Sequence, residues 1–318
     1  MEVVNSLILF VLGFYILIKG AQLLIRGAVS LARVFKVSNW FIGAFVVSVG
    51  TSVPELSINI ASTFTGNNIG LATIIGSNTF NIFVILGLSA IFYPIVMRRE
   101  WVVKDAFFNI VFIFIATIMI LFSVVGDSFN GISQGEGLIL LSIYFIWIWF
   151  LFHRKSGVEE ETDIEVVTLF TAFIMVVLGI VGVFFGGQWV VDGAVVIALL
   201  LGIEPSFVGL TIVAIGTSLP ELTVSLVALS KRSTSIAIGN ILGSSIFSFL
   251  GVLGVTALIN PIVVLPGIQF DIFVVLTAAV LFFTLVLVGR RYTLTRMEGV
   301  LFLTLYFSYI IFLIFRIL

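Results

Sequence analysis

Two copies of one six-residue motif place carboxylates inside long apolar stretches. The motif reads Gly-Thr-Ser-Val-Pro-Glu at 50–55 and Gly-Thr-Ser-Leu-Pro-Glu at 216–221. An ionisable side chain inside a membrane segment is energetically expensive and by default marks a functional site. Glu55 and Glu221 are therefore the first candidates for binding chemistry. Their occurrence in two halves of the chain points to a pair of broken helices.

Polar side chains around both motifs recur mostly at spacings of three and four residues, which puts them on one helical face. Those around the first motif are Ser48, Thr51, Ser52, Glu55, Asn59 and Ser62, and those around the second are Thr211, Thr217, Ser218, Glu221 and Ser225. Two further apolar stretches each carry a pair four residues apart: Ser77 with Asn81, and Ser244 with Ser248. Pro54 and Pro220 have no amide hydrogen, so each frees a carbonyl oxygen one turn earlier.

These groups offer only oxygen ligands. The chain has no cysteine, and its one histidine, His153, lies at the end of an apolar stretch beside basic residues. Hard cations such as calcium prefer oxygen ligands, whereas transition metals are commonly bound by nitrogen and sulfur. None of the four stretches contains a Lys or Arg that could neutralise the two glutamates, so a divalent cation is the expected partner. The alternative is that single hydroxyls bond only to their own helix backbone.

The elements that position these residues are membrane helices. Hydrophobic residues make up 61% of the chain and charged residues 10%, and the mean hydropathy is +1.31, whereas about a quarter of a soluble domain is charged. Since about 20 apolar residues cross a bilayer, the sequence predicts ten segments. They are 6–31, 38–65, 70–93, 102–125, 135–152, 167–199, 205–230, 234–259, 268–289 and 297–317. Segments 4 and 5 have apolar middles and are expected to be scaffold.

The basic residues set the expected orientation. With the N-terminus outside, 12 of the 15 Lys and Arg residues fall in cytoplasmic connections: Arg33, Lys36, Arg98, Arg99, Lys104, Arg154, Lys155, Lys231, Arg232, Arg290, Arg291 and Arg296. The alternate connections, 65–69, 126–134, 200–204 and 260–267, contain no Lys or Arg. We therefore expect a multi-pass protein of the plasma membrane with both termini extracellular.

The two halves of the chain match at a nearly constant offset. Glu55 and Glu221 are separated by 166 residues, and the stretch 74–81 matches 241–248 at an offset of 167. An acidic connection divides the chain into a first repeat (1–155), a cytoplasmic linker (156–166) and a second repeat (167–318). Because each half has five segments, an odd number, the second would begin on the opposite side of the membrane. The predicted fold is an all-α polytopic membrane protein with ten transmembrane helices in two inverted five-helix repeats.

At these residues the sequence resembles the cation/calcium exchanger superfamily, and specifically its sodium/calcium exchanger branch. The resemblance rests on the two motifs and on the signatures Gly76–Asn81 and Gly243–Ser248, and it suggests a minimal, prokaryotic-type member. It implies antiport of sodium against calcium by alternating access, with ions at the midplane between segments 2, 3, 7 and 8. Glu55 and Glu221 would share the calcium ion. The other implied ligands are Thr51, Thr217, Ser52, Ser218, Ser77, Ser244, Asn81 and Ser248, with backbone oxygens of Ser48 and Ala214.

Ser248 departs from the family, which usually has Asp or Asn at this position. Potassium-dependent members rely on an Asp there, so the resemblance implies exchange that is independent of potassium. The glycine-rich segments 1 and 6 would form the sliding gate pair of the family.

Two alternative functions stay open. A proton/calcium antiporter of the same superfamily would carry a G-N-x-x-E type signature, whereas this chain has Thr-Ser at 51–52 and 217–218. A cation channel is the second alternative. No enzymatic activity is expected, because His153 is remote from the serine-rich segments. Calcium and sodium are expected as transported substrates, with no cofactor, no nucleic acid and no obligate protein partner in addition to the lipid bilayer.

Overall fold

The computed structural model describes residues 2–65, 69–122, 131–154, 164–200, 214–264, 268–290 and 292–317. Within these ranges the chain forms twelve helices, several of which contain a π-helical stretch. They are α1 (Glu2–Phe35), α2 (Asn39–Thr51), α3 (Val53–Thr65), α4 (Ile69–Phe80, Asn81–Ile85 and Leu86–Phe92), α5 (Trp101–Ala106 and Phe107–Leu121), α6 (Gln134–Phe152), α7 (Leu169–Leu200), α8 (Ala214–Gly216), α9 (Leu219–Ser230), α10 (Thr234–Ile246, Phe247–Val252 and Leu253–Ile259), α11 (Gln269–Val288) and α12 (Arg296–Ile317).

Eight helices of the described ranges are long and apolar enough to cross a membrane: α1, α4, α5, α6, α7, α10, α11 and α12. Helices α2 and α3 together form a ninth candidate, bent by 47° between Asn39–Thr51 and Val53–Phe64. These nine correspond to predicted segments 1 to 6 and 8 to 10. Predicted segment 7 is represented by α8 and α9, and its first part, 205–213, lies outside the described residues.

The prediction of an all-α fold needs a small correction. Four two-residue strands form two antiparallel pairs in the loops: β1 (Ile95–Val96) with β4 (Thr293–Leu294), and β2 (Gly131–Ile132) with β3 (Ile262–Val263). Each pair joins a loop of the first half of the sequence to a loop of the second half. A hydropathy pattern does not reveal such pairs, because two residues are too few to show a strand period.

Contacts between residues divide the chain into two compact units, each built from both halves of the sequence. The first unit contains Met1–Pro54 and Leu151–Gly243, and the second contains Glu55–Phe150 and Ser244–Leu318.

In the first unit, glycines at intervals of seven bring α1 and α7 into close contact. They are Gly13, Gly20 and Gly27 on α1, and Gly179, Gly186 and Gly193 on α7. A Cβ atom at Gly20 would lie 2.7 Å from the backbone nitrogen of Val183, and one at Gly186 would lie 2.5 Å from that of Leu17. Small residues at such positions allow the backbones of membrane helices to approach each other.

The end of the predicted linker and the first residue of predicted segment 6 contact α1. Arg26 forms a 2.9 Å ion pair with Glu165, and the backbone nitrogen of Val167 donates a 3.1 Å hydrogen bond to Oγ of Ser30. Residues 155–163, which include most of the acidic side chains of this connection, lie outside the described residues.

In the second unit, α12 packs against the C-terminal half of α4. A Cβ atom at Gly299 would lie 2.6 Å from the carbonyl oxygen of Gly87, so these two helices also meet at glycines. The rings of Phe83 and Phe302 pack edge to face with their centroids 5.8 Å apart. This packing supports α4, the helix that carries Ser77 and Asn81.

Candidate functional site

Both motifs lie where a helix is interrupted. Ser52 separates α2 from α3 with φ −89° and ψ 13°, and Ser218 precedes α9 with φ −96° and ψ 1°. These angles fall in the sparsely populated bridge region, where many active-site residues are found. Pro54 and Pro220 follow two residues later, and a proline is tolerated in the first turn of a helix because its missing amide hydrogen is not needed there. The sequence therefore ends one helix and starts the next within the motif.

The same geometry puts both glutamates in the first turn of a helix. Glu55 lies in the first turn of α3 and Glu221 in that of α9. Their exposed fractions are 1% and 0%. The N-terminus of a helix carries a partial positive charge, which favours a carboxylate at this position. That partial charge does not replace a full counterion for a buried carboxylate.

In the first unit, Glu221 lies in a cluster of hydroxyls. The Ser52 hydroxyl donates a 3.0 Å hydrogen bond to Oε1 of Glu221. The other carboxylate oxygen, Oε2, and Oγ of Ser218 are buried without a hydrogen-bond partner among the residues that the structure describes. Buried polar atoms are rarely left without a partner. An oxygen pair of this kind is suited to bind a cation.

The pattern Ser-x-x-Glu could also have been a capping box, in which the serine and glutamate side chains bond to each other's backbone amide. Ser218 makes no side-chain capping hydrogen bond within the described part of the chain, and Ser52 uses its hydroxyl on Glu221 of the other motif. The start of α9 thus leaves the side-chain oxygen of Ser218 available for a ligand.

Asn240 of α10 also joins this cluster, although it is not among the ligands predicted from the sequence. Its Nδ2 atom donates to the carbonyl oxygen of Glu221 at 3.3 Å and to Oγ of Ser225 at 3.0 Å. Its Oδ1 atom accepts a hydrogen bond from Oγ1 of Thr51 at 3.2 Å. The available signal was a polar residue three positions before Gly243 inside an apolar segment.

Close helix packing positions Asn240. A Cβ atom at Gly43 would lie 2.7 Å from the carbonyl oxygen of Ile236, and one at Gly243 would lie 2.6 Å from Cα of Ala44. Glycines on both helices therefore let α10 lie directly against α2. At this separation a short carboxamide on α10 reaches the end of α2.

In the second unit, Glu55 has a comparable amide neighbour. Nδ2 of Asn59, one turn later on α3, donates a 2.9 Å hydrogen bond to the carbonyl oxygen of Glu55. Gly70 of α4 lies against this turn, because a Cβ atom there would meet Oγ of Ser62 and would lie 2.7 Å from Oδ1 of Asn59.

The remaining predicted ligands of the second unit are buried on α4 and α10: Ser77, Asn81, Ser244 and Ser248. Asn81 begins the π-helical stretch of α4, and Ser248 lies in that of α10. π-Helical turns inside α-helices occur frequently at functional sites. Oδ1 of Asn81 is buried with no hydrogen-bond partner among the described residues, so it is another available oxygen.

The other predicted ligands belong to the first unit. Thr217 and Ser218 are buried, and Ser48 bonds its hydroxyl to the carbonyl oxygen of Ala44 at 2.6 Å. The carbonyl oxygen of Ser48 accepts a hydrogen bond from Ser52 N, and it shares the single hydroxyl hydrogen of Thr51 with Oδ1 of Asn240, each oxygen lying 3.2 Å from Thr51 Oγ1. Ala214 begins α8, and its side chain lies outside the described part.

Helix α5, expected to be scaffold, contributes a buried polar contact. Oγ of Ser245 donates a 3.0 Å hydrogen bond to Oδ1 of Asn109. Ser245 directly follows the predicted ligand Ser244. The scaffold therefore holds α10 by a polar contact in addition to apolar packing.

The chain is similar to known sodium/calcium exchangers. The family model described as sodium/calcium exchanger protein matches residues 5–153 and 171–315. An uncharacterized membrane protein of Methanocaldococcus jannaschii is 33% identical over 93% of this chain and 94% of its own length. The sodium/calcium exchanger MaX1 of Methanosarcina acetivorans is 27% identical over 98% of this chain and 99% of its own. The solved structure of the sodium-calcium exchanger NCX_Mj, soaked with zero Na⁺ and Ca²⁺, superimposes with a TM-score of 0.82 at 31% identity, covering 98% of this chain and 99% of that one. The resemblance found in the motifs is confirmed, and the chain belongs to the sodium/calcium exchanger protein family.

Proposed function

We propose that this chain exchanges sodium for calcium across the membrane by alternating access, with Glu55 and Glu221 as the shared ligands of the calcium ion. Family membership supports the transported ions. The two motifs and the burial of both carboxylates support the choice of these ligands.

The observation that carries the proposal is the oxygen cluster at Glu221. A buried carboxylate with one oxygen bound by Ser52 and the other without a partner among the described residues is costly unless a cation compensates it. The surrounding groups are hydroxyls, amides and carbonyls, and oxygen ligands of this kind suit calcium and sodium.

We also propose sodium sites on either side of the calcium ion, formed by the serines and the amide near the glutamates. We assign Ser52, Ser77, Ser218, Ser244 and Asn81 to them, with Thr51 and Thr217 contributing to the calcium site. The π-helical stretches at Asn81 and Ser248 support this assignment, because both fall at equivalent positions of the two halves. Ser248 offers a neutral hydroxyl where potassium-dependent members of the family have an Asp. This difference favours exchange that transports sodium without potassium.

We further propose ten transmembrane helices in two inverted repeats, 1–155 and 167–318, joined by the linker 156–166. Two features support the repeats. The glycines at 13, 20 and 27 of α1 correspond to those at 179, 186 and 193 of α7 with an offset of 166. The strand β1 corresponds to β3 with an offset of 167, and each pairs with a strand of the other half.

The strand pairs also support the orientation with both termini outside. Paired strands must lie on the same side of the membrane. The β1–β4 pair joins the loop of Arg98 and Arg99 to the loop of Arg290 and Arg296, and these are both basic. The β2–β3 pair joins two loops that lack Lys and Arg. This division agrees with cytoplasmic basic loops.

The direct test is uptake of radioactive calcium into proteoliposomes that hold the purified protein. Vesicles loaded with sodium or potassium are diluted into media without that ion, and vesicles with an acidic interior are diluted into a more alkaline medium. We expect rapid uptake only with an outward sodium gradient, and saturation with calcium concentration. Uptake driven equally by protons would identify a proton/calcium antiporter. Calcium flux that needs no opposing gradient and does not saturate would identify a channel.

A further inference from the structure

Asn240 is a buried carboxamide. Among the described residues, both of its amide hydrogens and one of the two acceptor positions of its oxygen are used in hydrogen bonds. Its exposed fraction is 0%. Its two amide hydrogens serve the Glu221 carbonyl and the Ser225 hydroxyl, and its oxygen accepts from the Thr51 hydroxyl. A carboxamide can donate two hydrogen bonds and accept two. One side chain on α10 thus holds the end of α2 and the start of α9.

The two halves of the chain bind the carbonyl oxygen of their motif glutamate in the same way but from different places. Asn59 serves Glu55 from the same helix, one turn later. Asn240 serves Glu221 from the next helix along the chain. In both cases the donor is a neutral amide, so the hydrogen bond to the glutamate carbonyl adds no charge to the site.

The carboxamide and the hydroxyl residue occupy opposite positions in the two halves. With the offset of 166, Ser225 is the equivalent of Asn59, and with the offset of 167, Asn240 is the equivalent of Thr73. The first half has its carboxamide on the glutamate helix and a threonine on the following helix. The second half has a serine on the glutamate helix and the carboxamide on the following helix. At these two positions each half therefore has one carboxamide, either on the glutamate helix or on the following helix.

We propose that Asn240 is a positioning residue that sets the calcium affinity of the Glu221 side of the site. It orients the first turn of α9 through the Glu221 carbonyl, and it orients the Thr51 hydroxyl through its own oxygen. The role rests on the proposed function, because it requires that Glu221 and Thr51 bind the transported ion. Groups that hold metal ligands from behind commonly contribute 10–100-fold to affinity, by order of magnitude.

The test uses the opposite positions of the carboxamide in the two halves. The variant Asn240→Thr installs the residue found at the equivalent position of the first half. The double variant Ser225→Asn/Asn240→Thr restores a carboxamide on the glutamate helix, in the arrangement of Asn59 and Thr73. The control, Asn260→Thr, removes a different carboxamide-to-carbonyl hydrogen bond, the 2.8 Å bond to Thr63. Calcium binding to each purified protein in sodium-free detergent solution is measured by titration calorimetry, together with exchange in proteoliposomes and thermal stability.

We expect Asn240→Thr to weaken calcium binding by about 10–100-fold, and the double variant to recover most of that loss. Asn260→Thr should bind calcium normally. Unchanged affinity in Asn240→Thr would overturn the positioning role, and so would a loss that the double variant does not recover. If Asn240→Thr does not fold, a folded double variant with weak binding would equally contradict it.

Failure of the proposed function has a different signature. It would appear as absent sodium-driven exchange in the unsubstituted protein. Absent calcium binding by that protein would overturn the function and the positioning role together. Normal exchange with normal calcium affinity in Asn240→Thr would overturn the positioning role alone.

Discussion

The hydroxyl of Ser52 donates a 3.0 Å hydrogen bond to the carboxylate of Glu221, although the two residues are 169 positions apart in the chain. Ser52 belongs to the first copy of the motif and Glu221 to the second. Within the first unit, the serine at the break of one helix therefore supplies a donor to the acid of the other motif.

Ser52→Ala removes this hydrogen bond and a proposed sodium ligand. We expect the calcium concentration for half-maximal exchange to rise about tenfold, as for other groups that hold a metal ligand. The measurement is the calcium dependence of sodium-driven uptake in proteoliposomes. Ser142→Ala is the matched control, because Ser142 is exposed on α6 and donates its hydroxyl to the carbonyl oxygen of Leu138 one turn earlier on the same helix. An equal effect of both substitutions would contradict the role of Ser52.

Glu55→Gln and Glu221→Gln should each abolish sodium-driven calcium flux while the protein still inserts and folds. Each substitution removes half of the charge that compensates a calcium ion. We therefore expect the exchange rate to fall by more than the roughly 10–100-fold that is typical when a group behind a metal ligand is removed. Glu165→Gln is the control, because Glu165 is exposed and pairs with Arg26 away from the motifs. Transport near the normal rate in either motif variant would refute the assignment of the ligands.

Gly20→Ala should disturb the packing of α1 on α7. The added methyl group would lie 2.7 Å from the backbone of Val183, which cannot yield as a side chain can. Overpacking of this kind costs roughly 1–3 kcal/mol, and we expect lower thermal stability and slower exchange. Gly187→Ala on α7 is the control, since its methyl group would meet Pro220 at an ordinary 3.5 Å. Equal tolerance of both changes would show that this contact does not need glycine.

The orientation can be tested at two equivalent valines. Val96 in β1 and Val263 in β3 are both exposed and are related by the offset of 167. We expect Val263→Cys to react with a membrane-impermeant maleimide on intact cells, and Val96→Cys to react only after permeabilisation. The chain has no native cysteine that could interfere. The reverse labelling pattern would overturn the orientation.

Exchange should be electrogenic and independent of potassium. One calcium ion balances the charges of Glu55 and Glu221, whereas three sodium ions, the usual number in the resembling family, leave one positive charge. Moving one charge through 100 mV changes the free energy by about 2.3 kcal/mol, or about 50-fold in the calcium gradient. Calcium uptake is measured in potassium-free vesicles whose potential is set by a proton ionophore. Insensitivity to voltage would refute the charge count, and a requirement for potassium would show that Ser248 does not exclude that ion.

The sequence alone determined the class of protein and its principal acids. The apolar composition and the repeated motif identified a membrane protein with Glu55 and Glu221 as candidate cation ligands, and the family was recognised from the same residues. These inferences succeed because burial of a charge in lipid and the missing amide hydrogen of proline are local properties. These properties do not depend on how the neighbouring helices pack.

The tertiary structure decided which polar groups meet. Helical spacing placed Ser52 and Thr51 on a polar face, but it could not indicate that Ser52 reaches Glu221 or that Asn240 reaches both Thr51 and Glu221. The contact between Asn240 and Thr51 depends on how closely α10 approaches α2, and the glycines at 43 and 243 allow that approach. Periodicity along a chain reports the face of one helix, whereas a hydrogen bond between helices requires the distance and rotation of both. Only the packed structure supplies these.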